Sequence, residues 1–121
     1  MCGIAGIITP GVEKYREEIE RMVSALRHRG PDDTGTFFFS QCALGHTRLS
    51  IIDLEGGHQP MLSQDRMLAV TFNGEIYGYQ DLRRQMKEYP FLTLSDTEVL
   101  LALYEAHGDE MYSPLKEHGF W

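Results

Sequence analysis

The chain opens on a short apolar run, Gly3-Ile4-Ala5-Gly6-Ile7-Ile8, closed by Thr9-Pro10-Gly11. Isoleucines bounded by a Pro-Gly turn predict a buried strand over residues 3–8. Val12, Tyr15, Ile19, Met22, Val23 and Leu26 then recur at helical spacing, with Glu13, Glu17, Glu18 and Glu20 on other faces. This predicts an amphipathic helix to about Arg27, ended by Gly30 and Pro31. Residues 34–40, 42–46, 48–53 and 67–73 carry Thr, Phe, Leu, Val and Ile in strand-like patterns, with Gly56, Gly57 and Pro60 marking the loop between. They predict a largely antiparallel sheet. Tyr79, Leu82, Met86 and Tyr89 predict a second helix stopping before Pro90, and Ser95-Asp96-Thr97-Glu98 has the form of a capping box that starts a third, ending at Gly108. Gly119-Phe120-Trp121 reads as the beginning of another strand.

The order strand, helix, strands, helix, helix over 121 residues gives one α+β domain without repeats, low-complexity segments or a dividing linker. A net charge of −7, with basic residues scattered among more numerous acids, speaks against a nucleic-acid surface. No apolar run is long enough to span a bilayer, and the first residues lack a signal-peptide pattern, so no membrane partner and a cytoplasmic location are expected. Cys2 and Cys42 show neither zinc-ligand nor disulfide spacing, and His28, His46, His58, His107 and His118 make no ligand set. No metal is expected. Cys42 reads as a small apolar strand residue, and the histidines as structural or exposed.

Cys2 changes the picture. Removal of Met1 would leave a first residue that carries a thiol and a free α-amine, a nucleophile and its base together. An α-amine of ordinary pKa near 8 is partly neutral at physiological pH and can take the thiol proton directly or through water.

Six blocks in fixed order carry a resemblance: Met-Cys-Gly-Ile-Ala-Gly at 1–6, Arg-His-Arg-Gly-Pro-Asp at 27–32, His-Thr-Arg-Leu-Ser-Ile-Ile-Asp at 46–53, Gly-Gly-His-Gln-Pro-Met at 56–61, Phe-Asn-Gly-Glu-Ile-Tyr at 72–77 and Ser-Asp-Thr-Glu-Val-Leu at 95–100. Together they resemble the asparagine synthetase family over residues 1–108. The resemblance implies the glutaminase domain of class II amidotransferases, an N-terminal-nucleophile (Ntn) hydrolase αββα sandwich, and glutamine as substrate. It makes Cys2 the nucleophile and gives Arg48 the α-carboxylate of glutamine, for which a guanidinium fork is suited. Asn73, through its side-chain amide, and Gly74, through its backbone N–H, would form the oxyanion hole. Glu75 and Asp96 would bind the ammonium group, and Leu49, Ser50, Ile51 and Ile52 would line the wall. The loop of His28, Arg29 and Asp32 belongs near the site but receives no chemical step. Gly78 departs from the asparagine usual after the tyrosine of that motif.

The implied half-reaction needs no cofactor. ATP and Mg belong, in the family, to a synthetase domain that lies outside residues 1–121, and the later strands of the two sheets are expected outside them too. The implied partners are therefore glutamine and a synthetase domain or completing C-terminal segment, with a homodimer left open. Two alternatives stand beside this reading. One is an amidotransferase feeding a sugar-phosphate or purine precursor; Leu49 weighs against the sugar-phosphate branch, which has tryptophan after the arginine. The other is a catalytically silent association or regulatory module, which a retained Met1 would favour.

Overall fold

The computed structural model describes residues 1–50 and 56–119. The fold is α+β. β1 (Gly3–Ile8), β2 (Asp33–Phe38) and β3 (Cys42–Arg48) form an antiparallel sheet in the order β1-β3-β2, with Gly3 opposite Thr47 and Thr34 opposite the same residue. The central strand therefore ends at Arg48, beside the residue that follows Met1. A second, two-stranded sheet pairs β4 (Met61–Leu62) with β5 (Ala69–Val70).

Helix α1 (Arg16–Ala25) lies on one face of the first sheet, burying Ile19 and Val23. Ala5 and Ala43 on that face are small, which lets the helix sit close, and with Val12 and Ile19 they form one core cluster. The opposite face is turned towards the stretch after β5, where His46 Nδ1 lies 2.8 Å from Thr71 Oγ1. A second cluster gathers Ile76, Leu82, Val99, Leu103 and Leu115 from α2 (Tyr79–Gln85), α3 (Thr97–His107), α4 (Tyr112–His118) and the segment before α2. Burying a side chain such as Ile76 contributes about 1.5–3 kcal/mol, and here it anchors the stretch that follows Glu75.

Several expected boundaries shift, each for a local reason. The first helix begins as a 3₁₀ turn, Val12–Tyr15, before the α-helix proper, following Gly11 in the left-handed region. β3 runs unbroken to Arg48 instead of dividing at residue 46, because Arg48 stays paired with Asp33 of β2. The expected strand 67–73 forms a ladder only at Ala69–Val70, since beyond it the Phe72 N–H is taken by a side chain, Gln59. α2 stops at Gln85, and Met86 closes it with bonds to the carbonyls of Leu82 and Arg83. Ser95 and Glu98 do not reciprocate as a capping box: Ser95 Oγ accepts from Thr97 N, and Glu98 accepts the amides of Leu92 and Thr93, which fold back over the helix start. Cys42 is half-buried, opposite the exposed Ile8 at the open end of the sheet. α4 was not expected from the pattern. Of the strand start expected at residues 119–121, Gly119 caps α4 and its carbonyl accepts the Tyr77 N–H, and the last two residues lie outside those described, as do residues 51–53 of the strand expected over 48–53.

Candidate active site

Where β1 begins and β3 ends, five separate parts of the chain converge on a cleft of about 320 Å³, the loop of Gly57 and Gln59 among them. Met1 and Cys2 come from the start of β1, and Arg48 and Leu49 from the end of β3. Asn73, Gly74 and Glu75 come from the segment before α2, and Ser95, Asp96 and Thr97 from the start of α3. Of the residues that the sequence nominated, Cys2, Arg48, Leu49, Asn73, Gly74, Glu75 and Asp96 all line this cleft. Ser50 is not part of its lining; its N–H donates to Asp32 Oδ2 at 2.8 Å. Ile51 and Ile52 lie outside the described residues.

Cys2 is half-buried and held from three directions. The Leu49 N–H donates to its sulfur at 3.4 Å, the sulfur lies 3.8 Å from the Leu49 carbonyl, and Arg29 Nε donates to its backbone oxygen at 3.0 Å. A chain terminus so tied does not fray. Met1, by contrast, is 73% exposed at the mouth.

The loop between α1 and β2 braces this end of the cleft. Arg29 holds Cys2, Asp32 Oδ2 holds Ser50, and the Asp32 N–H donates to the Arg48 carbonyl at 3.0 Å. Gly30 makes that approach feasible, because a Cβ there would lie 2.5 Å from both Arg48 N and Thr47 C. The motif at 27–32 thus acts on the site through backbone contacts.

Charged groups of both signs line the cleft. Arg48 is buried at 5% exposure. Beside it in the sequence, His46 is fully buried and its pKa is lowered to about 4, chiefly by burial and then by the Arg48 charge. Asp96 is 6% exposed, and its pKa is raised by burial, with the Glu75 charge adding to the shift. Its Oδ2 accepts the Ile76 N–H at 3.0 Å, yet among the described residues no cationic side chain pairs with it. The cleft lining thus carries one guanidinium and two carboxylates.

Sequence reasoning missed Gly57, Gln59, Phe72, Tyr77, Ser95 and Thr97 as lining residues. Each stands inside or beside a quoted motif, and that adjacency was the available signal. No group of three or more His, Cys, Asp or Glu among the described residues is arranged to hold a metal ion, and none of the described helices is long and apolar enough to cross a membrane.

A half-buried thiol, a buried guanidinium and two carboxylates thus line one cleft. The chain belongs to the glutamine amidotransferase domain family, whose model matches residues 1–120. Over 117 residues it is 42% identical to asparagine synthetase (glutamine-hydrolyzing) 3 of Arabidopsis thaliana, covering 95% of this chain and 20% of that protein. It is also 42% identical to the asparagine synthetase (glutamine-hydrolyzing) of Zea mays over 118 residues, and to the probable enzyme of that name in Schizosaccharomyces pombe over 111, covering 95% and 89% of this chain and 20% of each relative. The chain spans about a fifth of the length of the relatives it matches.

Proposed function

We propose that this chain is the glutaminase part of an asparagine synthetase-type enzyme, an Ntn-hydrolase αββα unit that releases ammonia from glutamine at Cys2. The observation that carries the reading is the convergence of Cys2, Arg48, Asn73, Gly74, Glu75 and Asp96 on one cleft from four parts of the chain. In the active form Met1 is removed, and the Cys2 amine becomes the base. Met1 sits exposed at the mouth, where its removal opens the cleft.

Arg48 takes the α-carboxylate of glutamine, while Glu75 and Asp96 take its ammonium, and Leu49 contributes the adjoining wall. The side-chain amide then lies towards Cys2. The α-amine accepts the thiol proton, the sulfur adds to the amide carbon, and the developing oxyanion is met by the Asn73 side-chain amide and the Gly74 N–H. Collapse breaks the C–N bond, the amine returns the proton, and ammonia leaves a γ-glutamyl thioester. Water, deprotonated by the same amine, hydrolyses the thioester to glutamate and restores the thiol. Protein groups alone carry this half-reaction. ATP and Mg are assigned to a synthetase domain, which would spend the ammonia on an acceptor such as aspartate. A cytoplasmic setting suits such a reaction.

The test joins two measurements. Intact mass before and after a glutamine-mimicking electrophile is expected to show loss of Met1 and one adduct at Cys2. Glutamate release is expected from the processed chain and absent from Cys2→Ala. Undiminished release by that variant would remove Cys2 as the nucleophile, and a chain that keeps Met1 and takes no adduct would be the silent module.

A further inference from the structure

Gln59 is 6% exposed and lies in the cleft wall, where it spans two segments far apart in sequence. Its Oε1 accepts the Phe72 N–H at 2.7 Å, and its Nε2 donates to Thr97 Oγ1 at 3.3 Å. Phe72 precedes Asn73, and Thr97 follows Asp96. One amide therefore touches the immediate neighbours of the oxyanion-side and ammonium-side residues. Its two ends differ chemically, so only one orientation offers an acceptor to Phe72 and a donor to Thr97.

The surroundings give this contact its weight. Among the described residues the β4–β5 ladder pairs Met61 with Val70 and extends no further towards Phe72, so that ladder does not fix residues 72–75. At their far end the Ile76 N–H is held by Asp96. Asn73, Gly74 and Glu75 are thus suspended between two side-chain anchors, Gln59 before them and Asp96 after them. A polar amide buried in this way is costly to leave unpaired, which makes the arrangement specific.

We propose that Gln59 is a positioning residue for glutamine hydrolysis: by fixing Phe72 it sets where Asn73 and Gly74 stand relative to the Cys2 sulfur. The inference rests on the function proposed above and deepens it. The 2.7 Å bond to Phe72 is the stronger anchor, so the effect falls on the step in which the oxyanion develops more than on the holding of glutamine's charged end. Small displacements of such donors are costly in rate, because their value depends on reaching the position the oxyanion will occupy.

The test compares the chain with Gln59→Met, Gln59→Glu and Thr97→Val. Gln59→Met keeps the side chain's length and loses both bonds; kcat is expected to fall about tenfold to a hundredfold with KM changed less than about threefold. Gln59→Glu keeps the acceptor for Phe72 and is expected to recover most of kcat. Thr97→Val removes only the longer bond and is expected to lower kcat by about twofold to fivefold at steady KM. Backbone amide exchange, followed by NMR, is expected to quicken at Phe72 by about tenfold or more in Gln59→Met, with shifted Asn73 and Gly74 resonances.

An unchanged kcat, KM rising as kcat falls, or no recovery in Gln59→Glu would overturn the proposal. If Gln59→Met does not fold, an unchanged kcat in Thr97→Val overturns it. Absence of glutamate release from the processed parent chain would sink the glutaminase reading instead. The amide measurement then decides the structural part alone: still resonances at Asn73 and Gly74 reject it, and shifted ones sustain it.

Discussion

The carboxylate of Asp96 holds the backbone N–H of Ile76 at 3.0 Å, so one buried acid both shapes the segment after Glu75 and presents negative charge to the cleft. Those two tasks separate in Asp96→Asn. The amide oxygen can still accept from Ile76, but the charge is gone. Because burial raises the folded pKa of Asp96, ionised Asp96 weakens the fold once pH rises above the ordinary carboxylate value. Asp96→Asn is therefore expected to raise the melting temperature slightly at pH 7.5 while KM for glutamine rises tenfold or more, on the order of 1.4 kcal/mol of binding. Calorimetry and steady-state kinetics on the same preparation check both halves; a fall in melting temperature with KM unchanged would contradict them.

Gly30 is the point where the brace loop touches β3. A methyl group there meets backbone atoms of Thr47 and Arg48, which cannot swing aside as a flexible side chain can. Gly30→Ala is expected to cost about 1–3 kcal/mol in urea unfolding. It is also expected to weaken glutamine binding through Arg48. A variant with parental stability would show that the loop can lift from the strand freely.

His46 supplies a pH dependence of stability. Its folded pKa of about 4 lies below the ordinary 6.5, so between these values the unfolded chain binds a proton that the folded chain excludes. Stability should therefore fall as pH drops through this window, by on the order of 3 kcal/mol, with no further change from this residue below it. Asp33 opposes the shift, while Arg48 and His58 reinforce it. Urea midpoints measured from pH 7.5 to 4 are expected to decline in the parent chain and to flatten in His46→Gln. An equal slope in both would assign the effect elsewhere.

The legible parts of the fold were those whose signal is local. β1 keeps the limits of its isoleucine run but not the burial expected of it, since Ile4 and Ile8 are exposed and only Gly3 and Ala5 are buried, whereas α3 begins and ends within a residue or two of its expected limits. The unreadable parts depend on distant partners. β5 is short because Gln59, far back in the chain, captures the Phe72 amide. α4 has a weak pattern of its own, with only Leu115 fully buried, and it forms against Ile76, Leu82 and Leu103. Glu98 looked like half of a cap and serves instead to fold residues 92–93 back over the helix. The nominated site was legible as a set of residue types in known blocks, whereas Gln59 and the brace through Gly30 needed coordinates. Gly78 is a further case: a Cβ there would lie 2.7 Å from the Cβ of His118, so its lack of a side chain makes room for α4.

The Tyr77 N–H donates to the Gly119 carbonyl at 3.1 Å, joining the rim of the cleft to the stretch just after α4. For anyone purifying the protein this decides where a handle goes. A leader peptide fused to Met1 would block the amine to which the proposed chemistry gives the role of base, and a cut made before Gly119 would remove the acceptor of the Tyr77 N–H. The turn at Gln64, Asp65, Arg66 and Met67, between β4 and β5, is exposed and lines no part of the cleft, which makes it the place for an inserted epitope.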